Sequence, residues 1–234
     1  MSAFRNWADR AFRRAMEANV DNIVRLLEPG TADTALLDLG CDDGAHTARF
    51  GAAVGSTNLH GIEIVEHRAQ AASARGIKVV AHDLNEPLPY DDASFDVVCS
   101  NQVIEHLPDT DRFVAETFRV LRPRGYTVTS TENLASWHNV ASLVLGWQPF
   151  SLSNVSVKLS GVGNPLAVHR EEPHLLSSWE HMRVFAYRGL KELYGAHGFR
   201  VEAVVGAGYF PLPAGVGRRE PRHAALLTLK ARRP

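Results

Sequence analysis

The chain alternates between short apolar runs and stretches in which apolar residues recur every three or four positions. Short apolar runs are typical of buried strands, and the wider spacing is typical of amphipathic helices. The runs predict five strands, at residues 35–40, 59–64, 77–84, 94–101 and 125–133. Helical spacing between them predicts helices at 45–53, 65–75 and 109–121. Strands and helices that alternate with short loops indicate parallel strands with right-handed crossovers.

The same two patterns extend to both ends of the chain. Helical spacing over residues 4–28, in two pieces that stop before Pro29 and Gly30, predicts cap helices within residues 1–30. Near the other end we expect a helix at 186–198 and strands at 199–208 and 223–233. The whole pattern predicts an α/β fold: one domain over 1–234 around a doubly wound, mostly parallel, seven-stranded sheet.

The pattern breaks over residues 133–180, which hold three prolines and three of the four tryptophans. A segment this long inside a compact domain is usually a lid or a binding loop, so we predict an inserted lid. Several of its apolar side chains share one helical face: Leu134, Trp137, Val140, Leu143, Val144 and Trp147. We expect this face, with Trp7 and Phe12, to close an apolar acceptor pocket. Packing against the sheet edge is the alternative, and both can hold together.

Composition narrows the possible partners. The 234 residues carry a net charge of −1, so nothing global indicates binding to nucleic acid or an anionic membrane. Basic positions near both ends are expected to be solvated faces rather than an RNA patch. We find neither a run of about 18 apolar residues nor a secretory signal pattern, and we expect no membrane span. Cys41 and Cys99 adjoin core strands, which predicts buried thiols and a cytoplasmic protein.

The stretch "LLDLGCDDGAHTARF", residues 36–50, is the most informative part of the chain. An apolar strand carries Asp38 and then turns through two glycines into a helix. Glu63 and Asp83 follow the next two strands. Ligands of doubly wound sheets bind beyond these strand ends. A carboxylate at Glu63 could accept from both hydroxyls of a ribose, and Asp83 could accept from an adenine amino group.

The turn does not match the common phosphate-binding patterns. It lacks the Gly-Lys-Ser/Thr ending of a P-loop and the third glycine of the dinucleotide motif. Asp42 and Asp43 would repel a pyrophosphate but would favour a ligand that carries an ammonium and a sulfonium. Charge therefore favours an adenosyl ligand with positive groups over a phosphate, and an ordinary structural turn is the alternative.

Residues 36–133 resemble the class I S-adenosylmethionine-dependent methyltransferases, the large family that includes the ubiquinone-pathway O-methyltransferases. "LLDLGCDDG" resembles the first motif of that family and "HGIEI" the second. "AHDLNEPLPYDDASFDVVCSNQVIEHLPD" resembles the third and fourth, and "FRVLRPRGYTVTSTEN" the strand that follows. The resemblance implies a Rossmann-like methyltransferase fold, S-adenosylmethionine as the cofactor and no metal.

The resemblance also implies roles for individual residues. Those matching the turn around the methionine part of the cofactor are Asp38, Gly40, Cys41 and Gly44. Those matching the adenosine part are Glu63 at the ribose, Ile64 against the adenine, and Asp83 with Leu84 at the adenine edge. Those matching the segment beside the sulfonium and methyl are Asn101 and Gln102.

Asp42 is where the chain departs from the family, which often has glycine at this position. A residue with a Cβ there must adopt a backbone conformation that is open to aspartate. We predict that Asp42 binds the cofactor and is a candidate partner for its ammonium group.

His106, within "NQVIEHLPD", is the predicted catalytic base because it follows the fourth strand on the side where an acceptor must lie. A base helps only when the nucleophile holds its proton at neutral pH. The alternative is that His106 caps the next turn or packs under the lid. Its neighbour Glu105 is expected to face solvent. The "HREEPH" stretch, residues 169–174, fits no standard metal-ligand spacing, so we expect a solvated loop there.

These observations predict methyl transfer from S-adenosylmethionine to a small, partly apolar metabolite, at oxygen. Nitrogen and carbon acceptors stay open. The alternatives are an RNA methyltransferase and a protein that binds the cofactor without catalysis. The sequence indicates neither the acceptor nor the oligomeric state.

Overall fold

The computed structural model of the chain describes residues 3–156, 158–167, 170, 180–210, 212 and 215–234. Its strands are β1 Leu36–Leu39, β2 Leu59–Ile62, β3 Lys78–Val80, β4 Phe95–Asn101, β5 Leu121–Glu132, β6 Arg200–Ala207 and β7 Leu226–Arg232. Its α-helices are α1 Ala3–Leu26, α2 Ala45–Val54, α3 Glu66–Ala74, α4 Thr110–Val120, α5 Trp137–Val144, α6 Tyr187–Ala196 and α7 Val216–Arg219. Short 3-10 turns at Ile104–His106, Phe150–Leu152 and Pro221–His223 complete the described elements.

The seven strands form one sheet in the order β3-β2-β1-β4-β5-β7-β6. Strands β1 to β5 pair in parallel, and β7 runs antiparallel to both β5 and β6. The prediction of a doubly wound, mostly parallel, seven-stranded sheet is therefore confirmed. The chain order reverses between β1 and β4, which opens a crevice beyond their carboxyl ends. Of the acids predicted from the sequence, Asp38 lies within β1, whereas Glu63 and Asp83 follow β2 and β3.

The sheet is covered on both faces because adjacent residues of a strand point in opposite directions. Leu36 of β1 packs into a cluster with Ile23 of α1 and Phe50 of α2. Leu37 belongs to the opposite cluster, together with Phe113 of α4 and Leu190 of α6. Burial on both faces explains why the central strands have nearly continuous apolar sequences.

Three elements differ in extent from the sequence prediction. The third strand covers only Lys78–Val80, because it lies at the sheet edge with largely exposed side chains. Strand β5 begins at Leu121, four residues before the predicted start at Gly125. Helix α1 is continuous over Ala3–Leu26 instead of two pieces. No described helix is long and apolar enough to cross a membrane.

Helix α1 stays continuous through a polar stretch because tertiary hydrogen bonds satisfy its buried amides. Asn19, which is fully buried, donates from Nδ2 to Asn101 Oδ1 (2.8 Å) and Ser130 Oγ (3.0 Å). Its Oδ1 accepts from Thr228 Oγ1 at 2.8 Å. One side chain thereby joins α1 to the ends of β4 and β5 and to β7.

Helix α5 presents its apolar side chains to solvent rather than to the sheet. Leu143 is 54% exposed and Val144 81% exposed, whereas Asn139 and Ser142 are buried. Asn139 donates to Asn133 O and Ser151 Oγ, so the buried side of the helix is a hydrogen-bonded polar contact. Trp137, Leu143 and Val144 of the predicted face are therefore exposed and do not pack against the sheet. The other three residues of that face are half-buried: Leu134, Val140 and Trp147. Residues 157, 168, 169 and 171–179 of the predicted lid, which include His169, His174 and Trp179, lie outside the described residues.

The Asn19 network predicts a measurable loss of stability on truncation. We expect Asn19→Ala to lower the free energy of unfolding by about 1–3 kcal/mol, because the buried Ser130 and Thr228 and the half-buried Asn101 each lose a hydrogen bond. Urea denaturation followed by circular dichroism would measure it. Asn6→Ala, an exposed change in the same helix, is the matched control and should stay within about 0.5 kcal/mol of the parent. Equal effects of the two changes would contradict the assigned role.

Candidate active site

Two glycines allow the turn between β1 and α2 to pass close to its neighbours. Gly40 and Gly44 have φ values of +79° and +80°, in the left-handed region that favours glycine. A Cβ at Gly40 would lie 2.5 Å from Val103 Cγ2, and one at Gly44 would lie 2.5 Å from Ile77 Cδ1. The cradle formed by this turn therefore excludes side chains at both positions.

Asp42 adopts a left-handed backbone conformation with φ +48°, which aspartate tolerates better than most residues. Its backbone N–H donates to Glu63 Oε2 at 3.0 Å, and its carboxylate Oδ1 lies 3.2 Å from Arg68 Nη1. The departure from glycine is thus accommodated by the backbone. Its carboxylate already has a cationic neighbour on α3.

The Asp43 carboxylate contacts the first residue of α2 and a basic residue at the end of α3. Its Oδ1 accepts from Ala45 N at 2.9 Å, and Oδ2 lies 3.2 Å from Arg75 Nη2. The hydrogen bond to Ala45 is the leading cause that lowers the Asp43 pKa. Asp42 and Asp43 therefore each have an arginine at 3.2 Å.

Asp38 is buried, and only one of its two carboxylate oxygens has a described hydrogen-bond donor. Its Oδ2 accepts from Thr47 Oγ1 at 2.6 Å, and no residue that the structure describes donates to its buried Oδ1. Burial, opposed by the Thr47 hydrogen bond and reinforced by repulsion from Glu63, raises the Asp38 pKa to about 7. A buried acceptor of this kind is suited to a cationic or hydrogen-bond-donating ligand, so it fits the methionine end of S-adenosylmethionine.

Glu63 links the turns that follow β1 and β2. It is 8% exposed, and its two oxygens accept from Val65 N (2.9 Å) and Asp42 N (3.0 Å). Each carboxylate oxygen has a second lone pair, which leaves room for a ribose hydroxyl. Ile64, 58% exposed, lies next to it and offers an apolar surface suited to an adenine ring.

Asp83 and Leu84 lie in the loop beyond β3, because the strand ends at Val80. Asp83 Oδ1 accepts from both the backbone and side-chain nitrogens of Asn85, at 2.9 and 2.8 Å. Leu84 packs partly against the core. Their predicted place at the adenine edge stays a prediction.

Asn101 and Gln102 end β4 in constrained positions. Asn101 Oδ1 accepts from Asn19 Nδ2 and Ser130 Oγ, both at 2.8 Å, so its orientation is set by α1 and β5. Gln102 has φ +57°. In the amide orientation that satisfies both of its ends, Gln102 nitrogen donates to Glu105 Oε1 at 3.2 Å and its oxygen accepts from Thr131 N. The end of β4 therefore contacts the 3-10 turn that carries His106.

Glu105 is fully buried, so the expectation that it faces solvent is wrong. Its Oε2 accepts from Thr131 Oγ1 at 3.0 Å, and its backbone oxygen accepts from Met182 N and Arg183 N. Burial raises its pKa to about 7. The carboxylate turns inward because the chain that returns at residues 180–183 covers it.

His106 is half-buried beneath the same returning segment. Its Nδ1 lies 3.1 Å from Glu180 O, and its ring centroid lies 4.9 Å from that of His181. Burial is the leading cause that lowers the His106 pKa, with a further contribution from His181. The sequence indicated His106 but gave no reason to pair it with His181, since no local pattern connects the two.

The sequence is similar to those of known methyltransferases. Residues 37–129 match a family model described as a methyltransferase domain. The chain is 33% identical over 128 residues to 27-O-demethylrifamycin SV methyltransferase of Amycolatopsis mediterranei, covering 51% of this chain and 46% of that protein. It is 41% identical over 99 residues to a probable S-adenosylmethionine-dependent methyltransferase of Mycolicibacterium smegmatis, covering 42% of this chain and 38% of that protein. The chain thus spans less than half the length of these relatives.

Solved structures with the same fold cover nearly the whole chain. A methyltransferase from Thermotoga maritima superposes with a TM-score of 0.61 at 20% identity, covering 98% of this chain and 95% of that one. An S-adenosylmethionine-dependent methyltransferase from Mesorhizobium loti gives a TM-score of 0.59 at 20% identity, covering 90% and 95%. These similarities show that the chain has the fold of the solved methyltransferases and that its residues 37–129 are similar to a methyltransferase domain.

Proposed function

We propose that the protein transfers a methyl group from S-adenosylmethionine to a small-molecule acceptor, at oxygen. The observation that carries this proposal is the polar cluster beside the end of β4, where Gln102 contacts Glu105 and His106 follows. A relative named 27-O-demethylrifamycin SV methyltransferase supports a small-molecule acceptor. Other relatives are named as C- or N-methyltransferases, so the choice of oxygen rests on the cluster and not on the relatives.

On the cofactor side, the chain supplies acceptors for a positively charged nucleoside. Glu63 would accept from the ribose hydroxyls, Asp38 and Asp42 would lie at the methionine end, and Ile64 would cover the adenine. S-adenosylmethionine, when bound, supplies a methyl group already activated by its positive sulfur. The main task left to these residues is alignment of the reacting atoms, which can be worth up to about 7–11 kcal/mol of the barrier.

On the acceptor side, His106 has a lone pair available for chemistry. A hydrogen bond from Nδ1–H to Glu180 O would leave Nε2 unprotonated, and burial favours the neutral imidazole. Two roles use that lone pair. Nε2 can accept the proton of a hydroxyl acceptor directly, or it can hold a cation that makes the same proton more acidic.

The other functions predict different results. A protein that binds the cofactor without catalysis would bind S-adenosylhomocysteine but release none from S-adenosylmethionine with any acceptor. An RNA methyltransferase would bind RNA with a steep salt dependence. The near-neutral net charge supports a small-molecule acceptor over nucleic acid, and two free, buried cysteines are consistent with a cytoplasmic location.

The Glu63 carboxylate is expected to be needed for cofactor binding. We expect Glu63→Ala to weaken S-adenosylhomocysteine binding at least tenfold, because the ribose loses its acceptor and the Asp42 turn loses its hydrogen bond. Isothermal titration calorimetry measures the affinity. Glu66→Gln, an exposed change at the start of α3, is the control and should bind like the parent. Absence of binding by the parent protein would refute the assigned site.

The second prediction concerns the acceptor side. With an acceptor identified from a panel of hydroxyl-bearing metabolites, we expect His106→Ala to lower turnover by about 10²–10⁴-fold. Its affinity for S-adenosylhomocysteine should change little, since His106 is not placed among the cofactor contacts. Release of S-adenosylhomocysteine measures turnover, with His197→Ala, which contacts Asp111, as the control. Unchanged turnover in His106→Ala would remove His106 from the proposal.

A further inference from the structure

We infer that a divalent cation binds beyond the carboxyl end of β4, between Glu105, His106 and His181. One potential ligand atom from each of the three residues lies within 4.8 Å of those of the other two. Ligands that share a zinc ion lie about 3–4 Å apart, given bond lengths near 2.1 Å. A small contraction of these side chains would therefore complete three coordination bonds.

The hydrogen bonds of both imidazoles favour coordination through Nε2. His106 Nδ1 lies 3.1 Å from Glu180 O, and His181 Nδ1 lies 2.7 Å from Ser151 O. A carbonyl can only accept, so each Nδ1 carries a proton, and in the neutral imidazole Nε2 then keeps its lone pair. Metal-binding histidines are usually held this way, with the second nitrogen donating to a carbonyl or carboxylate.

The carboxylate of the cluster is supported in the same manner. Glu105 is fully buried, and its oxygens accept from Thr131 Oγ1 and from the Gln102 amide. Outer hydrogen bonds of this kind orient a ligating carboxylate. Glu132 Oε2 lies 3.8 Å from His181 Nδ1 and adds a second negative charge. A cation would offset the cost of burying these carboxylates.

The backbone holds the two distant parts of the cluster together. Glu105 O accepts from Met182 N at 2.7 Å and from Arg183 N at 3.1 Å. These bonds fix residues 181–183 against the 3-10 turn before any ion binds. Three ligands from a largely formed site lower the ordering cost of binding a cation.

The ligand set indicates the class of cation. Two imidazole nitrogens and one carboxylate oxygen suit first-row divalent ions such as Zn²⁺, whereas Mg²⁺ prefers sites made of oxygen alone. Three protein ligands leave at least one coordination position for water or an acceptor oxygen, as in catalytic zinc sites.

The catalytic consequence rests on the proposed function. A hydroxyl bound to the cation would lose its proton to solvent more readily, because the cation stabilises the oxyanion. The new O–C bond then forms as the C–S bond breaks, and the electron pair of that bond stays on sulfur. His106 would serve as a ligand in this arrangement, and the cation would replace it as the group that activates the acceptor.

The test uses the untagged, chelator-treated 234-residue chain, titrated with Zn²⁺ by calorimetry. We expect one Zn²⁺ per chain, with Mg²⁺ binding far more weakly. Glu105→Gln and His181→Ala should each weaken Zn²⁺ binding by more than the 10–100-fold typical of losing an outer-shell partner. His67→Ala, an exposed histidine on α3, should bind Zn²⁺ like the parent. Co²⁺ added to the parent should give the visible absorption of a nitrogen-coordinated ion, a readout that does not depend on the variants folding.

Two results would overturn the inference: no stoichiometric Zn²⁺ binding by the parent, or equal Zn²⁺ affinity in the parent and both ligand variants. S-adenosylhomocysteine titrated into the same samples reports the fold and the cofactor site separately. Normal S-adenosylhomocysteine binding without Zn²⁺ binding would refute the cation site and leave the proposed function intact. Zn²⁺ binding without S-adenosylhomocysteine binding would refute the proposed function and leave the cation site intact.

Discussion

The cofactor end of the molecule depends on one carboxylate that holds two turns together. Glu63, at the end of β2, accepts from the backbone of Asp42 in one turn and of Val65 in the next. The first bond helps to hold Asp42 in a left-handed conformation that a hydrogen-bonded turn must stabilise. The Gly40 cradle, the buried Asp38 and the start of α2 all follow from the path of this turn. Glu63, which is expected to bind the ribose, therefore also holds together the two turns that surround it.

A second constraint is the burial of polar groups at the strand ends. Asn19 brings α1 onto Asn101 and Ser130, so this helix orients a side chain at the end of β4. Both ends of the buried Asn19 amide find partners, and a network satisfied in this way specifies one arrangement of helix and sheet. The N-terminal helix is for this reason part of the active-site framework as well as a cover for the core.

A buried carboxyl group lies on each side of the candidate site, and the two groups differ in their hydrogen-bond partners. On the cofactor side, Asp38 keeps a buried oxygen without a described donor, which suits a positively charged ligand. On the acceptor side, Glu105 is buried beside His106 and His181, where hydrogen bonds orient every group. Both sides bury negative charge that the described residues only partly compensate, and in both cases a positively charged partner would complete the balance.

The sequence alone determined the sheet, the glycine turn and the acids that follow successive strands, because local periodicity records which faces are buried and strand ends of parallel units meet at one edge. Glu63 and Asp38 could be chosen on that basis. Only the tertiary structure decided that Glu105 turns inward, that His181 reaches His106, and that α5 buries its polar side. These features depend on where residues 180–183 and α5 pack after a long irregular segment. Local periodicity carries no information about that path, because such contacts form between residues distant in sequence.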